Sequence, residues 1–221
     1  MPQPPPDFVP PPWLRFVRRY IWVIAFVLGA ATLTVIRPML RHVPEPPPVL
    51  FTLPGDYALV DHLERPFTPA TLEGEVWVAG FVFTSCPSSC PAVTRAMSDL
   101  ADRFARTKVD VKMVSFTVDP ERDTPEVLAR YASTVGADPD QWRFVTGEPD
   151  TILKLVGEGF RLGVGERQTI EGDIYDIAHS TKLALVDGEG QIRGYYGIEP
   201  DEGLAEIYER ADRVLQEQKS R

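Results

Sequence analysis

From residue 51 onward, apolar runs alternate with amphipathic ones. Val76–Phe83 is apolar almost without interruption, the pattern of a central strand buried on both faces. Ala92–Arg106 follows, with Val93, Met97, Leu100 and Phe104 at helical spacing. Further strands are predicted at Val109–Val118, Trp142–Val145 and Lys182–Val186. Asp56–Asp61 and Glu64–Phe67 read as a small hairpin, and Asp187-Gly188 turns the last strand into Gln191–Tyr196. Thr124-Pro125-Glu126 opens a helix reaching about Thr134, with Thr124 as its cap and Pro125 in its first position. Pro149–Glu158 reads as a short helix. Leu204–Gln216 reads as a closing one, with Leu204, Ile207, Ala211, Val214 and Leu215 on one face. Gly163–Ile177 carries little pattern and reads as a loop with room for a hairpin. Strand–helix–strand units ending in a hairpin and a helix place the chain in the α/β class, with a mixed sheet flanked by helices.

The N-terminal part has a different texture. Most of the first twelve residues are proline or polar, and Arg15, Arg18 and Arg19 precede an uncharged run from Tyr20 to Ile36. As a helix that run spans roughly 26 Å, near the short limit for a bilayer core. Trp13, Phe16, Tyr20 and Trp22 suit an interface, and the excess of arginine before the run favours a cytoplasmic N-terminus. Gly29-Ala30-Ala31 offers a site for signal-peptide cleavage, but the apolar run is longer than a signal segment needs and continues past it. The expected division is a proline-rich tail with a basic flank (1–19), a transmembrane anchor (20–40), a proline-rich spacer (41–50) and one folded domain (51–217). That domain is expected on the periplasmic or intermembrane-space side.

Composition narrows the chemistry. Across 221 residues, 43% hydrophobic and 25% charged content is a globular balance, and a net charge of -9 argues against nucleic acid as a partner. The only two cysteines, Cys86 and Cys90, sit where the apolar strand gives way to the first long helix. This is how a thioredoxin-like fold presents its thiols. Backbone N–H groups at a helix N-terminus stabilise a thiolate at Cys90. Three intervening residues allow either a disulfide or a shared soft metal ion. Bracing alone is a weak reason for the pair, because closing so short a loop stabilises little. A soft ion such as Cu(I) accepts two thiolates and one further ligand. Of three histidines, His42 lies in the spacer and His62 in the early hairpin. His179 precedes the strand that would lie beside the cysteine loop, so topology favours it. Met97 is a second candidate, but its spacing is that of a core residue.

Four segments carry a resemblance: Phe83-Thr84-Ser85-Cys86-Pro87-Ser88-Ser89-Cys90-Pro91; Val114–Pro125, with its Asp119-Pro120 and Asp123-Thr124-Pro125; Trp142–Gly147; and His179-Ser180-Thr181 followed by a strand and the Asp187-Gly188 turn. Together they resemble the Sco/SenC family, copper-binding thioredoxin-like proteins that assist assembly of cytochrome c oxidase. The resemblance implies that Cys86, Cys90 and His179 bind one copper ion, as Cu(I) or Cu(II). It also implies that the chain serves the CuA centre of oxidase subunit II, or another copper acceptor. Many members have Asp where this chain has Ser88, which removes a nearby negative charge but no ligand. Asp119 reads as a neighbouring acid, since a carboxylate suits Cu(I) poorly. The chain is therefore expected to be a metallochaperone rather than an enzyme. The alternative is a thiol–disulfide oxidoreductase in which Cys86 and Cys90 form a redox-active disulfide and keep the acceptor's cysteines reduced. Peroxide reduction fits poorly, because Thr84 stands two residues before Cys86 rather than three and no arginine is suitably placed.

Overall fold

Proline opens the first helix, α1 (Pro12–Ala31), where a missing N–H leaves no bond unmade. Its apolar side chains are exposed, Trp22 to 85% and Phe26 to 75%. Residues 11–32, 45–86, 90–171 and 174–221 are described by a computed structural model. Among them no helix is long and apolar enough to cross a membrane. Any stretch of α1 of sufficient length includes Arg15, Arg18 and Arg19, and the predicted continuation of the apolar run beyond Thr32 lies outside the described residues. The chain divides into two units, Met1–Glu45 and Pro46–Arg221.

In the second unit the elements run β1 (Phe51–Thr52), β2 (Leu59–Asp61), β3 (Pro66–Phe67), β4 (Trp77–Val82), α2 (Cys90–Thr107), β5 (Lys112–Thr117), α3 (Pro125–Thr134), β6 (Trp142–Thr146), α4 (Pro149–Lys154), β7 (Val164–Glu171), β8 (Ile174–His179), β9 (Leu183–Val186), β10 (Gln191–Tyr196) and α5 (Gly203–Ser220). Eight strands form one sheet in the order β1-β10-β9-β4-β5-β6-β2-β3, and β7 and β8 form a separate hairpin. β4, β5 and β6 are parallel, while β9 is antiparallel to β4. The expected mixed α/β sheet is present and has a thioredoxin-like arrangement. Thr124 caps α3 as predicted, its hydroxyl accepting from the Val127 N–H. The segment read as a loop is mostly the β7–β8 hairpin.

All six residues of β4 are buried. On one face Trp77 and Phe81 meet Phe116 and Phe160, with Phe81 and Phe160 ring centres 5.0 Å apart at 75°, an edge-to-face arrangement that aromatic rings favour. The other face receives α2. The Met97 sulfur lies 3.2 Å from where a side chain would begin at Gly80, so Met97 is core, as its spacing indicates.

The far end of the sheet is held by a buried charge cluster. A bulge between Ile192 and Gly194 turns Arg193 inward. Arg193 donates to the Pro47 carbonyl at 2.8 Å, to Asp187 at 3.0 Å and to Glu217 at 2.6 Å. It thus joins the end of the spacer, the β9–β10 turn and α5. In that turn Asp187 accepts from the Glu189 and Gln191 N–H groups. A side chain at Gly188 would begin 2.6 Å from the Gly74 backbone, so only glycine fits. Removing one partner of such a cluster leaves a buried charge uncompensated. Arg193→Met is therefore expected to cost about 3–5 kcal/mol of stability. The check is urea unfolding of the parent and variant chains at one pH.

Candidate metal centre

Beyond β4 the apolar run ends at Phe83, whose carbonyl accepts from the Cys86 N–H at 3.2 Å. This closes a turn through Thr84 and Ser85. Cys86 is half-buried and packs against the core. Cys90 opens α2, and Pro91 lies in the first turn, where its missing N–H is no loss. Residues 87–89 and the Cys90 side chain lie outside the described residues. α2 keeps its register through Val93, Met97, Leu100 and Phe104, all buried.

The parallel pairing of β4 and β5 aligns Val82 with Thr117, and the Val118 N–H donates to the Val82 carbonyl at 2.9 Å. Both strands therefore leave the sheet at the same edge. After β5 the chain folds back, with the Arg122 and Asp123 N–H groups donating to the Asp119 carbonyl at 3.1 and 3.0 Å. This brings Asp123, 1% exposed, against the turn before Cys86. Its carboxylate accepts from the Thr84 hydroxyl at 2.5 Å, the Thr84 N–H at 3.1 Å and the Thr117 hydroxyl at 2.6 Å. Burial pushes the Asp123 carboxyl above the ordinary aspartate range, the hydrogen bonds from Thr117 and Thr84 pull it back in part, and the charge of Asp119 adds to the rise. Sequence reading found the Asp-Thr-Pro signature but gave Asp123 no role. An aspartate just before a helix cap is an ordinary way to start a helix.

His179 ends β8, its backbone paired with Val164 of β7. β9 begins at Leu183 and runs antiparallel to β4, with Ala184 opposite Ala79 and Val186 opposite Trp77. The start of β9 thus lies toward the carboxyl end of β4, so the backbone carrying His179 approaches the edge from which the Cys86 loop leaves. The His179 side chain lies outside the described residues. Beside this edge is an open cleft of about 780 Å³, whose lining includes Val118, Asp119, Leu153, Arg161, Val164 and Ile177. Among the described residues, no three histidines, cysteines or carboxylates gather closely enough to hold a metal ion.

The other candidates separate cleanly. His42 lies outside the described residues. His62 is 5% exposed, and its Nδ1 accepts from the Phe144 N–H at 3.2 Å, while its own N–H donates to the Phe144 carbonyl at 2.8 Å. It fastens the β2–β3 turn to β6. Asp119 is buried, and its N–H donates to the Thr117 hydroxyl.

The sequence model of the SCO1/SenC family matches residues 49–216. A SCO1 protein homolog of Bacillus subtilis (strain 168) is 35% identical over 135 residues, covering 58% of this chain and 66% of that one. A candidate copper-binding protein of Stutzerimonas stutzeri is 35% identical over 138 residues, covering 62% and 65%. The chain thus spans just under two thirds of these relatives' lengths. Among solved structures, BsSco, described with a disulfide switch and as a member of the Sco family of cytochrome c oxidase assembly proteins, superposes with a TM-score of 0.67. It is 25% identical, with 78% of this chain and 98% of that one covered.

The buried His62 makes stability depend on pH. Burial lowers its pKa below the ordinary 6.5, and the charges of Arg65 and Arg143 add to the fall, against the opposing pull of Asp61. The unfolded chain therefore takes up this proton first as pH falls. The stabilisation is complete above about pH 6.5 and is lost below it. Asp61 acts in a separate, more acidic window. Burial alone would raise its pKa, but hydrogen bonds from Arg65 and Leu63 leave it lowered, so its contribution fades as pH falls below about 4. Urea midpoints at pH 7.5 and 5.5 should fall more in the parent than in His62→Gln. Equal falls would assign the effect elsewhere.

Proposed function

The chain belongs to the SCO1/SenC family, and from that premise we propose that it is a membrane-anchored copper carrier serving the assembly of cytochrome c oxidase. Copper is its cargo, held one ion per chain by Cys86, Cys90 and His179. The observation that carries the proposal is the convergence at one sheet edge. The Cys86 turn leaves β4 there, Cys90 opens the next helix, and the backbone after His179 returns antiparallel to β4. Two thiolates and an imidazole form a donor set that suits copper in either oxidation state. The name of the Stutzerimonas relative points to the same ion. Delivery by ligand exchange needs a site of low coordination that a partner can reach, and a loop-borne pair offers one. The proposed acceptor is the CuA centre of oxidase subunit II.

The same pair supports a second activity, thiol–disulfide exchange that keeps the acceptor's cysteines reduced. The disulfide switch named for BsSco favours it. Attack by one thiolate on an acceptor disulfide forms a mixed disulfide. The second thiol then resolves it, leaving the acceptor with two thiols and this chain with a Cys86–Cys90 disulfide.

The proposed layout keeps the four parts, 1–19, 20–40, 41–50 and 51–217, with the N-terminus cytoplasmic and the folded part on the periplasmic or intermembrane-space side. The exposed apolar side chains of α1 support an anchor there, with Arg15, Arg18 and Arg19 at the cytoplasmic interface.

Two outcomes are expected. Reduced protein titrated with Cu(I) against a competing chelator should bind one equivalent. Cys86→Ser or Cys90→Ser should weaken binding by about 100-fold or more, and His179→Ala by about tenfold, each factor of ten being ~1.4 kcal/mol. Parent-like affinity in His179→Ala would rule out the three-ligand site. After alkaline carbonate extraction, the full chain should stay in the membrane pellet, and a chain starting at Pro46 should be released. Release of both would remove the anchor.

A further inference from the structure

We propose that Asp123 is the positioning residue for Cys86, fixing the turn from which Cys86 presents its sulfur. The inference rests on Cys86 and Cys90 being the working thiols. The Asp123 carboxylate lies where three elements meet. It takes the main-chain and side-chain donors of Thr84 at the end of β4 and the Thr117 hydroxyl at the end of β5. Through the chain it leads directly into Thr124, the cap of α3. Its own N–H is held by the Asp119 carbonyl, which fixes the backbone from which the carboxylate projects.

Thr84 is two residues before Cys86, inside the turn closed by the Cys86 N–H on the Phe83 carbonyl. Fixing Thr84 at both its main chain and its hydroxyl leaves that turn little freedom. An apolar residue would brace the loop without the cost of removing a carboxylate from water. A carboxylate adds directional bonds to a main-chain donor, and a negative charge on the cysteine side of the sheet, where a bound cation would sit. Without the carboxylate, one thiol samples more positions relative to the other. The pair then closes less readily as a disulfide and grips a shared ion less well, because preorganisation is lost.

The test uses the full chain in detergent with Asp123→Ala, Asp123→Asn and Thr84→Val. Asp123→Asn keeps the shape and a carbonyl acceptor but removes the charge, so it serves if the alanine variant fails to fold. Three quantities are measured: the midpoint potential of the metal-free Cys86–Cys90 couple, the sulfur-to-copper charge-transfer band of the Cu(II) form, and Cu(I) affinity by chelator competition. In Asp123→Ala the disulfide equilibrium constant should fall about tenfold, raising the potential by ~30 mV. Cu(I) affinity should fall about tenfold or more, and the band should shift. Asp123→Asn and Thr84→Val should show smaller changes in the same direction. If the variants lose urea stability while potential and band stay at parental values, Asp123 is a structural staple and the proposal fails. If the parent takes no copper but the potential still moves, positioning stands and the copper function fails. If copper binds and none of the three quantities moves, the copper function stands and positioning fails.

Discussion

Strand β4 is buried along its whole length and bonded on both edges, so this part of the chain can place polar chemistry only where that strand ends. Strand direction does the rest. A parallel neighbour, β5, leaves the sheet at the same edge as β4, and an antiparallel neighbour, β9, begins toward it. Three segments converge there as a consequence of backbone topology: the Cys86 turn, the Asp119–Asp123 turn and the backbone after His179. The aromatic packing of Trp77, Phe81, Phe116 and Phe160 fixes the strands behind them. The edge is therefore a rigid frame carrying short loops, which is the arrangement a binding site needs.

A buried acidic residue and a buried basic one stand at opposite ends of the sheet. Asp123 at the cysteine end is satisfied by neutral donors, two hydroxyls and one N–H. Arg193 at the far end is satisfied by two carboxylates and the Pro47 carbonyl. Val186, at that end of β9, faces Trp77, where β4 begins. Pro47 thus docks on the folded unit at the edge away from the Cys86 turn.

Where burial dictated the pattern, the sequence could be read directly. The unbroken apolar run gave β4, the 3.6 period gave α2, and Thr124-Pro125 gave the start of α3 almost to the residue. β5 begins at Lys112 rather than Val109, because Val109 and Val111 serve the exit from α2: the Val109 N–H bonds the Phe104 carbonyl, and the Val111 N–H bonds Val109. The β7–β8 hairpin was read mainly as a loop because Gly165-Glu166-Arg167-Gln168-Thr169 carries no apolar alternation. Its strands come from pairing with each other, which no single segment announces. Arg193 occupies an ordinary polar position in a hairpin, and only the bulge turns it inward. For the candidate site, the cysteine pair and His179 were legible as chemistry. Asp123 was not, because its importance lies in contacts with Thr84, 39 residues away in sequence, and with Thr117 on another strand.

Copper carriage and thiol exchange, both proposed for the same two sulfurs, constrain each other. Copper binding needs two thiolates, and a Cys86–Cys90 disulfide offers none, so the loaded and oxidised forms exclude one another. On the proposed far side of a membrane, where conditions favour disulfides, the proposed copper site would be loadable only in the fraction that the potential of this couple keeps reduced. A shift of ~30 mV changes that equilibrium tenfold. Residues that never touch copper can then govern how much is carried, provided they fix the geometry of the thiols. The buried contacts around Thr84 are where such control would reside. Carrying copper and carrying electrons are two readouts of one equilibrium, and a change that moves one without the other must act on the third ligand rather than on the thiol pair.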